Sequence, residues 1–157
     1  MSETFGALIR RMGEAVCAGN FQGAAACFTV DGVYDDDFYG RFAGRTEIAR
    51  LFAERFHRDG ENFRWSFHEP ASDGAVGYAR YVFSWNSKLP DAGGKRAAFE
   101  GVSICRLEGP LIAHYREVAA TQTARHMMGF PPQRLAKLIA RETERLLSRP
   151  ELSPHLK

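Results

Sequence analysis

The chain has 157 residues, 45% of them apolar and 25% charged, the proportions of one ordinary globular domain. Its 21 Lys and Arg against 19 Asp and Glu leave a net charge of +2, and the arginines are scattered rather than gathered into the basic stripe that a nucleic-acid partner needs. No run approaches the ~20 apolar residues of a membrane span, Arg10-Arg11 interrupts the N-terminus before a signal-peptide core can form, and Cys17, Cys27 and Cys105, with no Cys-x-x-Cys pair, fit reduced thiols in a cytoplasm.

Phe5, Leu8, Ile9, Met12 and Val16 recur at steps of three and four, which predicts an amphipathic helix over Phe5–Ala18. Gly19-Asn20 stops it, and a short Ala-rich helix is expected over Phe21–Phe28. The period then changes. Asp31-Gly32 signals a turn, and Val33-Tyr34 opens a short strand leading into the acidic run Asp35-Asp36-Asp37. Gly40 and Gly44 bracket a loop, Thr46 is the expected N-cap of a third helix, and Ile48, Leu51, Phe52 and Phe56 form its buried stripe up to Asp59-Gly60.

From there strands follow one another. Phe63, Trp65 and Phe67 alternate with polar residues, and beyond the Asp73-Gly74 turn so do Ala79, Tyr81, Phe83 and Trp85. A polar loop over Asn86–Lys95 precedes two further strands, Ala97–Leu107 and Leu111–Ala119, which meet at Gly109-Pro110. Pro131-Pro132 starts a last helix, with Ser148–Lys157 as a loose tail. Helices, then a meander of antiparallel strands, then one helix is the order of a segregated α+β domain, not of a parallel nucleotide-binding sheet. No Gly-rich phosphate cradle joins a strand to a helix, and His57, His68, His126 and His155 show no ligand spacing, so neither cofactor nor metal is expected.

Several strings resemble the nuclear-transport-factor-2-like superfamily and, more narrowly, its SnoaL-like proteins. They are the run Ala24 to Phe28, Asp31-Gly32-Val33-Tyr34, Gly44-Arg45 before Ile48, Phe99-Glu100-Gly101-Val102-Ser103, and Tyr115-Arg116-Glu117. The resemblance spans about residues 5–130. It implies a curved antiparallel sheet wrapped over the N-terminal helices as a cone with a central pocket (residues 1–130), the C-terminal helix and tail (131–157) packing on the same domain. It also implies a small hydrophobic ligand and a homodimer through the outer face of the sheet, where Val82, Val102, Ile104 and Tyr115 are candidates. The superfamily holds isomerases, dehydratases, epoxide hydrolases, cyclases and non-enzymes, so function rests on the site.

Ketosteroid isomerases offer the sharpest comparison, with an aspartate base and two oxyanion donors, a tyrosine and a neutral aspartic acid. Counted from Phe28–Asp31, the base falls on Asp36, with Asp37 its rival; the tyrosine position holds Met12 and the acid position Ser103. Methionine donates no hydrogen bond, and one missing oxyanion donor costs about 10²–10³ in rate, which argues against the usual isomerase mechanism. New partners are then sought on the last hairpin. A two-residue Gly109-Pro110 loop pairs Cys105 with His114 and Ser103 with Arg116, turning His114 and Arg116 inward; a three-residue loop would turn Tyr115 and Glu117 inward instead. The first register is preferred, giving Asp36 and His114 as an acid–base pair. Ser103 and Arg116 then polarise a substrate carbonyl, and Trp65, Tyr81, Trp85 and Phe99 form apolar walls. The expected activity is cofactor-independent isomerase, lyase or cyclase chemistry on a hydrophobic carbonyl compound; the alternative is a non-catalytic binding or assembly module.

Overall fold

The computed structural model describes residues 3–157. Helix α1 (Phe5–Cys17) begins where the Thr4 hydroxyl accepts the Ala7 N–H, and it buries the stripe Phe5, Leu8, Ile9, Met12 and Val16. Helix α2 (Phe21–Ala25) is shorter than its composition suggests, because the chain is already extended at Phe28. Strand β1 (Phe28–Asp36) absorbs the Asp31-Gly32 turn signal as an irregularity between Phe28 and Val33. The expected loop after Gly40 is instead a strand, β2 (Gly40–Ala43), antiparallel to β1. Helix α3 (Arg45–Leu51) starts from Gly44, not Thr46, and Arg45 Nε donates to the Phe28 carbonyl at 2.8 Å. A π-helical turn (Phe52–Phe56) and the short α4 (His57–Asp59) complete that helical segment.

Four long strands then follow: β3 (Gly60–Ser72), β4 (Val76–Ser87), β5 (Arg96–Glu108) and β6 (Leu111–Ala119). The sheet runs β2-β1-β6-β5-β4-β3, antiparallel except where β1 lies parallel to β6. The α+β architecture expected from the order of elements is the one observed. The alternation in β4 buries Ala79, Tyr81, Phe83 and Trp85 against the helices, while Tyr78 and Val82 face out. Three elements have no counterpart in the periodicity: a 3-10 turn over Pro90–Ala92 in the expected loop, α5 (Thr121–Met127), and a 3-10 helix over Pro150–Leu156 in the tail expected to be loose. Between the last two lies α6 (Pro132–Leu147), starting at the proline pair.

The last hairpin decides the site. Gly109, with φ +56, takes a left-handed position that suits glycine, and the two-residue loop pairs Glu108 with Leu111 and Leu107 with Ile112, as a tight turn requires. Ala113 is then an extra residue in β6, a β-bulge, so that Arg106 pairs with His114, Cys105 with Tyr115 and Ser103 with Glu117. The preferred register is therefore wrong beyond the first two pairs. Ile112 and Ala113 are both buried, which a regular strand with alternating faces does not permit; the bulge accommodates them and turns the rest of β6 over.

Candidate functional site

The concave side of the sheet encloses a cavity of about 230 Å³ whose walls are mostly aromatic: Phe38, Phe56, Phe83, Trp85 and Phe99 among them. Tyr34 and Asp36 reach the cavity from the end of β1, and Glu117 from β6. Strand alternation explains the selection within the acidic run: Asp36 points inward with Tyr34 and is only 6% exposed, whereas Asp35 points outward. Asp36 Oδ2 accepts the N–H groups of Phe38 at 2.9 Å and Tyr39 at 3.0 Å, an Asx-type turn that closes β1 onto β2. Oδ1 takes no part in those bonds. Burial drives the Asp36 carboxyl well above the ordinary carboxylate range, and the nearby Glu117 carboxylate drives it further; the two backbone N–H groups oppose this.

Glu117 is held by three donors. Its Oε2 accepts the Tyr81 hydroxyl in a short hydrogen bond and the Tyr115 hydroxyl at 3.3 Å, and its Oε1 accepts the Asp37 N–H at 3.3 Å. Ser103 Oγ lies 2.8 Å from the Tyr115 hydroxyl, extending the chain of hydroxyls into the core. Burial outweighs the donors and pushes the Glu117 carboxyl up to about 7, with the Asp37 charge adding to the rise. Tyr81 and Tyr115 are themselves pushed up by burial, so both stay protonated and can donate. Among the described residues neither Asp36 nor Glu117 has a salt-bridge partner. The result is two carboxyl groups facing one apolar cavity, neither neutralised by a cation, one favouring its acid form and one poised near neutrality.

Gly101 makes the Tyr81–Glu117 contact possible. It sits opposite Tyr81 in the β4/β5 ladder and opposite Ala119 in β5/β6. A Cβ there would stand 2.7 Å from the Tyr81 hydroxyl and 2.8 Å from the Ala119 Cβ, so the bare backbone lets the phenol cross β5 to reach β6. Gly101→Val is expected to lower stability by about 1–3 kcal/mol through overpacking; thermal denaturation reads the loss, and an unchanged melting temperature would show that the phenol does not depend on this gap.

The structure separates the expected site residues into two groups. Trp65, Tyr81, Trp85 and Phe99 line the cavity with Asp36. The others do not. His114, expected inside, faces outward and places Nε2 2.5 Å from Asp35 Oδ2, while Asp35 also meets Arg41 at 3.2 Å. Arg116 is exposed on the same outer face, opposite Ile104. The Ala113 bulge is the reason in both cases. Asp37 is turned away as well, its carboxylate accepting the Thr121 hydroxyl at 2.6 Å and tying the β1–β2 turn to α5. Ser103 and Met12 are fully buried and do not line the cavity, Ser103 being bonded to Tyr115. Tyr115, expected as an outer-face contributor, is fully buried and stacks on Tyr34 at 4.3 Å between ring centroids.

Several wall residues have no part in the site expected from sequence. Glu117 stood only in the rejected register, and the apolar run Leu111-Ile112-Ala113 carries no period that distinguishes the two registers. Arg125, Met128, Phe130, Arg134 and Leu138 close the cavity from α5, α6 and the turn between them. Tyr39 and Asp59 add a second polar contact, hydroxyl to carboxylate at 2.8 Å, but Arg58 already neutralises Asp59.

Comparison with known proteins agrees with this architecture. No curated protein matches the chain in sequence. Among solved structures, a hypothetical protein with ketosteroid isomerase-like fold from Catenulispora acidiphila, in complex with trimethylamine, superposes with a TM-score of 0.72 at 20% identity, covering 82% of this chain and 96% of its own. A Mycobacterium tuberculosis LEH-like epoxide hydrolase gives a TM-score of 0.63 at 16% identity, covering 85% of this chain and 92% of its own. A putative polyketide cyclase from Xanthomonas campestris gives 0.61 at 20% identity, covering 76% and 93% respectively. At these identities the likeness is one of fold. No helix among the described residues is long and apolar enough to cross a membrane. The SnoaL-like domain family model matches residues 9–115, more than half of the sequence, and the chain belongs to that family.

Proposed function

We propose that this protein is a cofactor-independent acid–base catalyst acting on a small hydrophobic carbonyl compound, as an isomerase, lyase or cyclase. The observation that carries the reading is the pair Asp36 and Glu117 in one aromatic cavity with no cation on either. An ionised carboxylate in such surroundings destabilises the fold unless it is paired, so purely structural selection favours neutral or paired groups there. A carboxyl near pH 7 can both take and return a proton, and its neighbour, held largely in the acid form, can protonate the opposite end of a developing enolate. Glu117 thus occupies the role that sequence reasoning gave to His114, and Tyr81 and Tyr115 orient it.

The non-catalytic alternative draws on a different fact: both carboxyls already have protein donors, Asp36 in its turn and Glu117 on two tyrosines. One experiment separates the two. A panel of cyclic and aryl-alkyl ketones is incubated with the protein in D2O and followed by proton NMR. Catalysis predicts protein-dependent deuterium incorporation at the carbon next to the carbonyl; ketones that bind without exchange would leave only the binding module. The reading also includes a homodimer through the outer sheet face, where Tyr78, Val82, Val102 and Val118 are exposed.

A further inference from the structure

The cavity holds a second charged feature that acid–base chemistry does not use. Arg125, on α5, lines it with only 6% of its surface exposed, and its guanidinium lies 4.6 Å from the centre of the Phe38 ring. All of its hydrogen bonds leave from one nitrogen. Nη1 donates to Thr121 Oγ1 at 3.0 Å, Gln122 Oε1 at 2.8 Å and Glu142 Oε1 at 3.3 Å. Nε and Nη2 have no acceptor among the described residues.

A guanidinium carries five donors in a rigid fork, and the Nε–H with the neighbouring N–H of Nη2 forms an edge that grips both oxygens of a carboxylate. The molecule uses that edge elsewhere. Arg11 holds Glu3 through Nε at 3.0 Å and Nη2 at 2.8 Å, and Arg58 holds Asp59 through the same two atoms at 2.6 and 2.7 Å. On Arg125 the equivalent edge meets no acceptor among the described residues, in a buried side chain, against an aromatic wall. The contacts at Nη1 fix the guanidinium plane in advance, so an incoming carboxylate meets a preorganised fork. Arg134, from α6, lines the same cavity and stacks on Phe130 at 3.9 Å. Arg125, which meets Glu142 at 3.3 Å through Nη1 alone, and Arg134 therefore bring two guanidinium groups to the α5–α6 side of the cavity, while the strand side carries Asp36 and Glu117.

We propose that the ligand is a ring-bearing apolar molecule with a carboxylate, anchored by the Nε/Nη2 edge of Arg125. Attraction by the two arginines, with repulsion from Glu117 when it is ionised, gives such a molecule one orientation, its acid group at α5 and α6 and its reacting end at the strands. The position of the reacting end rests on the acid–base reading above; the anchor does not.

The test uses a matched pair of probes, 2-naphthoate and its neutral isostere 2-naphthamide, titrated by calorimetry into the wild-type protein and into Arg125→Met. The wild type is expected to bind the naphthoate at least ten-fold more tightly than the amide, and the variant to lose that preference. Because Arg125 is buried and its loss can unfold the chain, the Arg125 Nε–H resonance is also followed in the wild type; it should shift with naphthoate and stay in place with the amide. Equal affinity for the two probes, or an Arg125 resonance that naphthoate leaves unmoved, would overturn the proposal. The two readings fail separately: a naphthoate preference without deuterium exchange on any ketone sinks the acid–base role alone, and exchange without the preference sinks the anchor alone.

Discussion

Replacing Glu117 by Gln is expected to slow deuterium exchange on any ketone the protein turns over by about 10²–10⁴, the usual contribution of a positioned general base or acid. Glutamine keeps the size, and its amide oxygen can still accept both tyrosine hydroxyls that meet Oε2, at the loss of the Asp37 N–H bond, but it cannot bind and release a proton. Asp36→Asn should act in the same direction. The contrast that gives the result its meaning is His114→Ala. His114 lies on the outer face, bonded to Asp35, so its removal should leave exchange unchanged. Loss of exchange in His114→Ala with retention in Glu117→Gln would restore the register that the Ala113 bulge rules out.

The second expectation concerns stability against pH, and its sign is unusual. The Glu117 carboxyl rises from 4.5 to about 7 on folding, so between those values the folded chain holds a proton that the unfolded chain has lost. Stability then falls as pH rises through that window. At about 1.4 kcal/mol per unit, full expression of the shift is worth roughly 3 kcal/mol. The raised Asp36 carboxyl contributes in the same sense. Asp59, which Arg58 holds below its ordinary range, works the other way, but its contribution is lost only below about pH 4 and leaves the window untouched. Urea denaturation should therefore give a more stable protein at pH 5 than at pH 8, and Glu117→Gln should flatten the difference. Stability that stays level or rises across that interval would mean that Glu117 is not buried as a proton-binding group.

How much of this was legible in the sequence differs by length scale. The α1 stripe and the β4 alternation of Ala79, Tyr81, Phe83 and Trp85 read correctly because hydrophobic period reports one element against one core. The tight turn at Gly109-Pro110 also read correctly, since local φ restricts the residues that fit it. The register beyond it did not. A bulge is one unpaired residue, invisible to period, and here it inverts the face of each residue from His114 onward. That single residue exchanged His114 and Arg116 for Tyr115 and Glu117. Asp36 reaches the cavity because it lies two residues beyond Tyr34, on the buried face of β1, a placement that strand alternation makes legible. Arg125 was missed for another reason: Thr121–Met127 carries little apolar periodicity, and its place at the cavity depends on long-range packing against β5 and the β1–β2 turn.

The proposed chemistry requires two carboxyls sharing one cavity, each with its proton affinity raised. Carbon-13 NMR titration of the aspartate and glutamate side-chain carboxyls, assigned by Asp36→Asn and Glu117→Gln, tests this directly. Glu117 is expected to titrate near pH 7 and Asp36 well above the ordinary carboxylate range, and Glu117→Gln is expected to lower the Asp36 midpoint by removing its neighbour's charge. Both groups titrating near pH 4, or an Asp36 midpoint indifferent to Glu117→Gln, would contradict it.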